Sequence, residues 1–160
     1  HPLLPGYVSG STPAGVSSYQ PSALALAEAQ RLTRSFSYKA PLATARQPIH
    51  GLFLMGSLGT LAQAEDSDMD VWVCHDSDLS DNEVAELRRK CQALEAWADS
   101  QGAEAHFFLI DLPIFQELPY VFRDAVGLLH VPFVQFEVGL HGFVRDAVEI
   151  MQVIGANTIG

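Results

Sequence analysis

The chain is short of cations: nine Lys and Arg stand against nineteen Asp and Glu in 160 residues, a formal net charge of −10. Non-specific affinity for a phosphate backbone comes mostly from clustered Lys and Arg, so a nucleic-acid polymer is not the expected partner. A single nucleotide remains open to it, because divalent ions held by carboxylates can screen its phosphates. Charged residues as a whole are sparse, 18% of the chain, while apolar residues make up 48%. The usual charged fraction is ~25%, so this balance excludes a disordered chain and reads as globular. Cysteine is scarce. Cys74 and Cys91 have no metal-binding spacing and each lies in an apolar run, which reads as two buried free thiols in a reducing, cytoplasmic setting. No apolar stretch approaches the ~20 residues of a membrane helix, and no basic segment followed by an apolar run opens the sequence, so neither insertion nor export is expected.

What is present suffices for one domain with a core. Residues 1–20 carry Pro2, Pro5, Pro13, Gly6, Gly10 and Gly15 and read as an arm that makes turns without supplying core. From Ser22, a plausible N-cap, apolar residues recur at spacings of three and four, predicting a helix to near Phe36. Pro41 and Pro48 bracket a connector. Ile49 to Met55 then forms a short apolar run bounded by Pro and Gly, the mark of a buried strand. A polar loop or short helical turn leads to a second strand, Met69 to Cys74. Ser80-Asp81-Asn82-Glu83 matches a capping box, and Val84, Leu87, Cys91, Leu94 and Ala98 continue one apolar face until Gly102. Glu104 to Asp111 makes a third strand, which a strand, helix, strand connection should place parallel to the second. Two weaker helical patterns follow, Val121 to Leu129 and Phe143 to Ile154. The recurrence of Arg123-Asp124-Ala125-Val126 at Arg145-Asp146-Ala147-Val148 has no third copy and reads as chance or packing. The expected organisation is thus an arm over 1–20, an α/β core over 21–111 and a helical extension over 112–160.

The chemistry-bearing pattern is Gly56-Ser57 at the end of the first strand, followed about ten residues later by Asp68-Met69-Asp70 opening the second. Glycine lets the backbone approach a phosphate, and serine adds a hydroxyl and an N–H that can hold its oxygens. Carboxylates at i and i+2 on a strand share a face, so Asp68 and Asp70 are placed to hold Mg²⁺, two ions in all, for phosphoryl or nucleotidyl transfer. A third carboxylate is expected from the third strand. Parallel strands bring their starts together, and Asp111 lies seven residues on, so Glu104 is the candidate. Trp72 shares the aspartates' face and is a candidate base contact, with a core role as the alternative. His75 and His106 read as structural for want of a second ligand at diagnostic spacing. Asp76, Asp78 and Asp81 read as charge surrounding a helix start.

Three stretches are recognisable: HPLLPGY, LFLMGSLGTLAQAEDSDMDVWVCH and RRKCQALEAWADSQGAEAHFFLID. Over roughly residues 1–111 they resemble the class I adenylate cyclases of gamma-proteobacteria, most specifically at Met55-Gly56-Ser57 and at Asp68, Asp70, Trp72, Val73, Cys74 and His75. The resemblance implies a small mixed sheet of the nucleotidyltransferase (DNA polymerase beta-like) type flanked by helices. It also implies conversion of ATP to cyclic AMP and pyrophosphate, with Asp68 and Asp70 on Mg²⁺ and the triphosphate at Gly56-Ser57. Leu112 to Gly160 does not follow the pattern, and members are several times longer. A nucleotidyltransferase acting on another small hydroxyl acceptor, and an inactive nucleotide-binding fragment, stand as the alternatives.

Overall fold

The computed structural model describes residues 1–17, 19–42, 44–55 and 69–112. Its elements, in chain order, are helix α1 (Ala23–Leu32), strand β1 (Ile49–Met55), strand β2 (Met69–His75), helix α2 (Asp81–Ser100) and strand β3 (Ala105–Asp111). The helical extension expected after residue 112, the loop between Gly56 and Asp68, and the Arg-Asp-Ala-Val pair lie outside the described residues.

The strands form one sheet in the order β1-β2-β3. The β1/β2 pair is antiparallel and the β2/β3 pair parallel. The outcome is an α/β fold with a small mixed sheet. The β2-α2-β3 unit is parallel for the anticipated reason: a helix of 20 residues carries the chain back to the starting end of β2. That helix begins at the capping box. The Ser80 hydroxyl accepts from the Glu83 N–H, and the Glu83 carboxylate accepts from the Ser80 N–H at 2.8 Å. It ends before Gly102, whose φ of 81° suits a residue without a Cβ.

Strand alternation divides the sheet. Val73, Phe107 and Leu109 pack with Ile49, Leu52, Leu79, Leu87 and Cys91, so the odd-numbered residues of β2 and β3 face α2. Burying a side chain such as Leu87, which is 1% exposed, contributes roughly 1.5–3 kcal/mol. On the other side of the sheet, Phe108 is 46% exposed. The end of α2 joins a second layer, in which Leu94 meets Leu32 of α1 and Phe107 of β3.

Two expectations are corrected. Helix α1 stops at Leu32 instead of near Phe36. Thr33 is extended, its N–H still donating to the Ala29 carbonyl, and its hydroxyl is bonded to that of Ser35, a local alternative to the helical ladder. Phe36 is nonetheless core, 4% exposed against Leu4, Ala25 and Ala29, and reaches them from the turn beyond the helix. The N-terminal residues have no helix, as expected, but they do supply core. Leu4 and Ala14 are buried and Val16 bridges to Ile49 alongside β1. Their docking depends on Glu86 of α2, whose Oε2 accepts from the hydroxyls of Ser9, Thr12 and Ser11 at 2.8, 3.1 and 3.3 Å.

Candidate functional site

The antiparallel pairing sets Met55, the last residue of β1, opposite Asp70, the second residue of β2. The chain therefore leaves β1 and enters β2 at one end of the sheet. Gly56, Ser57 and Asp68 belong to the segment joining those two points and lie outside the described residues. Of the residues proposed from the sequence to hold nucleotide or metal, the structure describes Asp70, Trp72 and Glu104.

Asp70 and Trp72 are half-buried and lie on the face of β2 turned away from α2. Cys74 continues that face and is buried at 1% exposure, and burial pushes its thiol up to about 12, as it does for Cys91. Both cysteines are free thiols, as their apolar surroundings predicted.

Glu104 immediately precedes β3. Its carbonyl accepts from the Met69 N–H at 2.9 Å, which ties the start of β3 to the start of β2. Alternation places Glu104 on the face of Asp70, and its carboxylate lies 3.2 Å from His106 Nε2. Asp111 pairs in register with His75, five residues beyond Asp70 and on the α2 face, so ~17 Å separates it along the strand. Among the described residues, no group of three or more His, Cys, Asp and Glu side chains is arranged to hold a metal ion. No described helix is long and apolar enough to cross a membrane.

The opposite end of the sheet holds features that sequence spacing did not reveal. Arg46, in the connector before β1, reaches Asp78 at 2.6 Å, Glu83 at 3.2 Å and Asp76 at 3.7 Å. Desolvation opposes its charge, but the hydrogen bond and charge of Asp78, with Glu83 and Asp76, raise its pKa overall. Asp76 also pairs with His50, which stands at the irregularity in the β1/β2 register between Ile49 and Gly51. Asp76 and Asp78 therefore serve chiefly to clasp the connector, and Asp81 alone of the three lies in the first turn of α2. His75 is buried, its Nδ1 donating to the Asp76 carbonyl at 2.8 Å, a structural role. Two cavities of about 160 and 410 Å³ lie between the N-terminal residues and the connector, and neither is lined by Asp70, Trp72 or Glu104.

The Adenylate cyclase NT domain family matches residues 1–121, three quarters of the chain. The chain belongs to that family. The match takes in the N-terminal residues, the sheet and the candidate residues together, and runs ten residues beyond the 1–111 span of the recognisable stretches. Among curated relatives, the chain is 43% identical over 118 residues to the adenylate cyclase of Escherichia coli (strain K12) and 42% identical over 118 residues to that of Salmonella typhimurium. Identity to the adenylate cyclase of Yersinia pestis is 40% over 114 residues. Each alignment covers 69% of this chain, which spans only 13% of the length of these relatives. No solved structure matches the chain.

Proposed function

We propose that this adenylate cyclase NT domain is the ATP-binding, catalytic part of an adenylate cyclase of class I, of the nucleotidyltransferase type, converting ATP to 3′,5′-cyclic AMP and pyrophosphate. The observation that carries the proposal is the family match across residues 1–121, which includes the sheet end where Asp70 and Glu104 share a face. The antiparallel β1/β2 step and the parallel β2/β3 step suit the mixed sheet expected of that type.

The donor chemistry fits Mg²⁺, a hard cation that takes oxygen ligands. Asp70 on β2 and Glu104 one residue before β3 offer carboxylates at the same end of the sheet, and Asp68 would add a third one residue before β2. The three would hold two ions, which when bound supply charge neutralisation at the phosphates and a lower pKa for the attacking hydroxyl. Gly56 and Ser57, following β1 at the same end, would hold the triphosphate through backbone N–H groups and the serine hydroxyl. Trp72, two residues along the face from Asp70, would give the base an aromatic surface. Cyclisation is intramolecular, so these residues act by holding the ribose 3′-oxygen in line with the α-phosphorus and the departing pyrophosphate.

Incubation with ATP and Mg²⁺ should yield cyclic AMP, and Asp70→Asn or Asp68→Asn should abolish it. Retained turnover in either variant would refute the carboxylate assignment. Nucleotide transferred to an added alcohol would instead establish a nucleotidyltransferase with another acceptor. One observation favours a further reading: with 13% of the relatives' length, the chain by itself would bind ATP without turnover if the rest of the enzyme completes the site.

A further inference from the structure

We propose that His106 is a positioning residue of the nucleotide site, holding the Glu104 carboxylate toward the end of the sheet where Asp70 lies. The inference rests on the assignment of Asp70 and Glu104 made above. Sequence spacing gave His106 no such role, because a lone histidine beside an apolar strand has no diagnostic partner. Strand pairing supplies the partner.

His106 is in direct register with Asp70 across the parallel β2/β3 pair. Residues paired in register point to the same side of a sheet, so the imidazole stands beside Asp70 on the face away from α2. Two residues earlier, on the same side, is Glu104. An ionised carboxylate can only accept, so the 3.2 Å contact between His106 Nε2 and Glu104 Oε1 is an N–H donated by the imidazole. That bond leaves the second carboxylate oxygen available and restricts the rotamers of a side chain that is 66% exposed. Among the described residues, that bond is the one restraint on the five-atom Glu104 side chain.

The strand that carries the imidazole is itself held from the other side. The N–H of Phe107, the next residue, donates to Glu95 Oε1 of α2 at 2.8 Å. The backbone on either side of His106 is thereby anchored to β2 and to α2. With 46% of the imidazole exposed, its removal should cost little in folding, so its effect on the site can be read separately.

The test is Mn²⁺ titration of the whole chain in the presence of a non-hydrolysable ATP analogue, followed by calorimetry or electron paramagnetic resonance. His106→Ala should weaken Mn²⁺ binding. Groups that orient a metal ligand typically contribute ~10–100-fold to affinity, and the exposure of this pair argues for the low end, about 10-fold. His106→Gln, whose amide N–H can still donate, should recover most of the loss. In a Glu104→Ala background, His106→Ala should have no further effect, since the histidine acts through that carboxylate. Unchanged affinity in His106→Ala, alongside loss in Asp70→Asn, would overturn the role of His106 while leaving the carboxylate assignment standing. A further loss in the Glu104→Ala background would overturn action through Glu104. Unchanged affinity in Asp70→Asn would overturn the underlying assignment, and the role of His106 with it.

Discussion

Replacing Lys90 with methionine should stabilise the protein at neutral pH. Lys90 is only 6% exposed, on the third turn of α2, and desolvation pushes its ammonium down to about 8 from an ordinary 10.5. A depressed lysine pKa means the folded state disfavours the proton relative to the unfolded state. Below pH 8 the side chain is charged in both states, and the full penalty falls on folding. At 1.36 kcal/mol per pH unit, that penalty is roughly 3 kcal/mol. Between pH 8 and 10.5 the unfolded chain binds more protons than the folded one, so stability rises with pH and the penalty fades. Methionine keeps the unbranched shape and removes the charge. Urea unfolding of the parent and Lys90→Met from pH 6.5 to 10.5 should therefore give a difference of about 3 kcal/mol at the acid end, closing toward zero at the alkaline end. A less stable variant at pH 7, or a difference independent of pH, would refute the reasoning, since either would mean that the ammonium is compensated where it lies.

Other outcomes follow from the same packing. Ser80→Ala removes half of the capping box and should cost ~1 kcal/mol in unfolding experiments, whereas Ser80→Asp should restore most of it. Leu87→Ala, at 1% exposure between sheet and helix, should cost about 2–5 kcal/mol. Cys74 and Cys91, both pushed up to about 12 by burial, should react with thiol reagents at neutral pH only as fast as the protein opens, so labelling that outpaces unfolding would contradict their placement. The Ser9 hydroxyl first, then those of Thr12 and Ser11, lower the pKa of Glu86 below its ordinary value. The contribution of these hydrogen bonds to holding the N-terminal residues is therefore complete above the unfolded-state pKa and lost as pH falls through the lower folded one. Glu86→Gln should make proteolysis near residues 9–12 faster at neutral pH and remove that acid dependence.

The local elements were legible in the sequence because their causes are local. Ile49–Met55 is bounded by Pro48 and Gly56, and α2 carries its start signal in Ser80 and Glu83 and its stop in Gly102. The parallel relation of β2 and β3 followed from the intervening helix. The end of α1 was less legible: Phe36 keeps the helical spacing yet reaches its apolar partners from a turn, and spacing alone does not distinguish the two.

The sequence by itself determined the succession of the strands and the phase within each, and hence that Asp70 and Trp72 fall on one side of the sheet. Side-chain alternation is a property of the backbone and needs no partner. Only the tertiary structure decided what stands across from each residue. Register put His106 beside Asp70 and Glu104 on the same face, and packing put Arg46 among three carboxylates 30 or more positions away. It also gave three hydroxyls of the N-terminal residues a single acceptor in Glu86, more than seventy residues distant. Those partnerships depend on where distant segments meet, and periodicity within a segment carries no information about that.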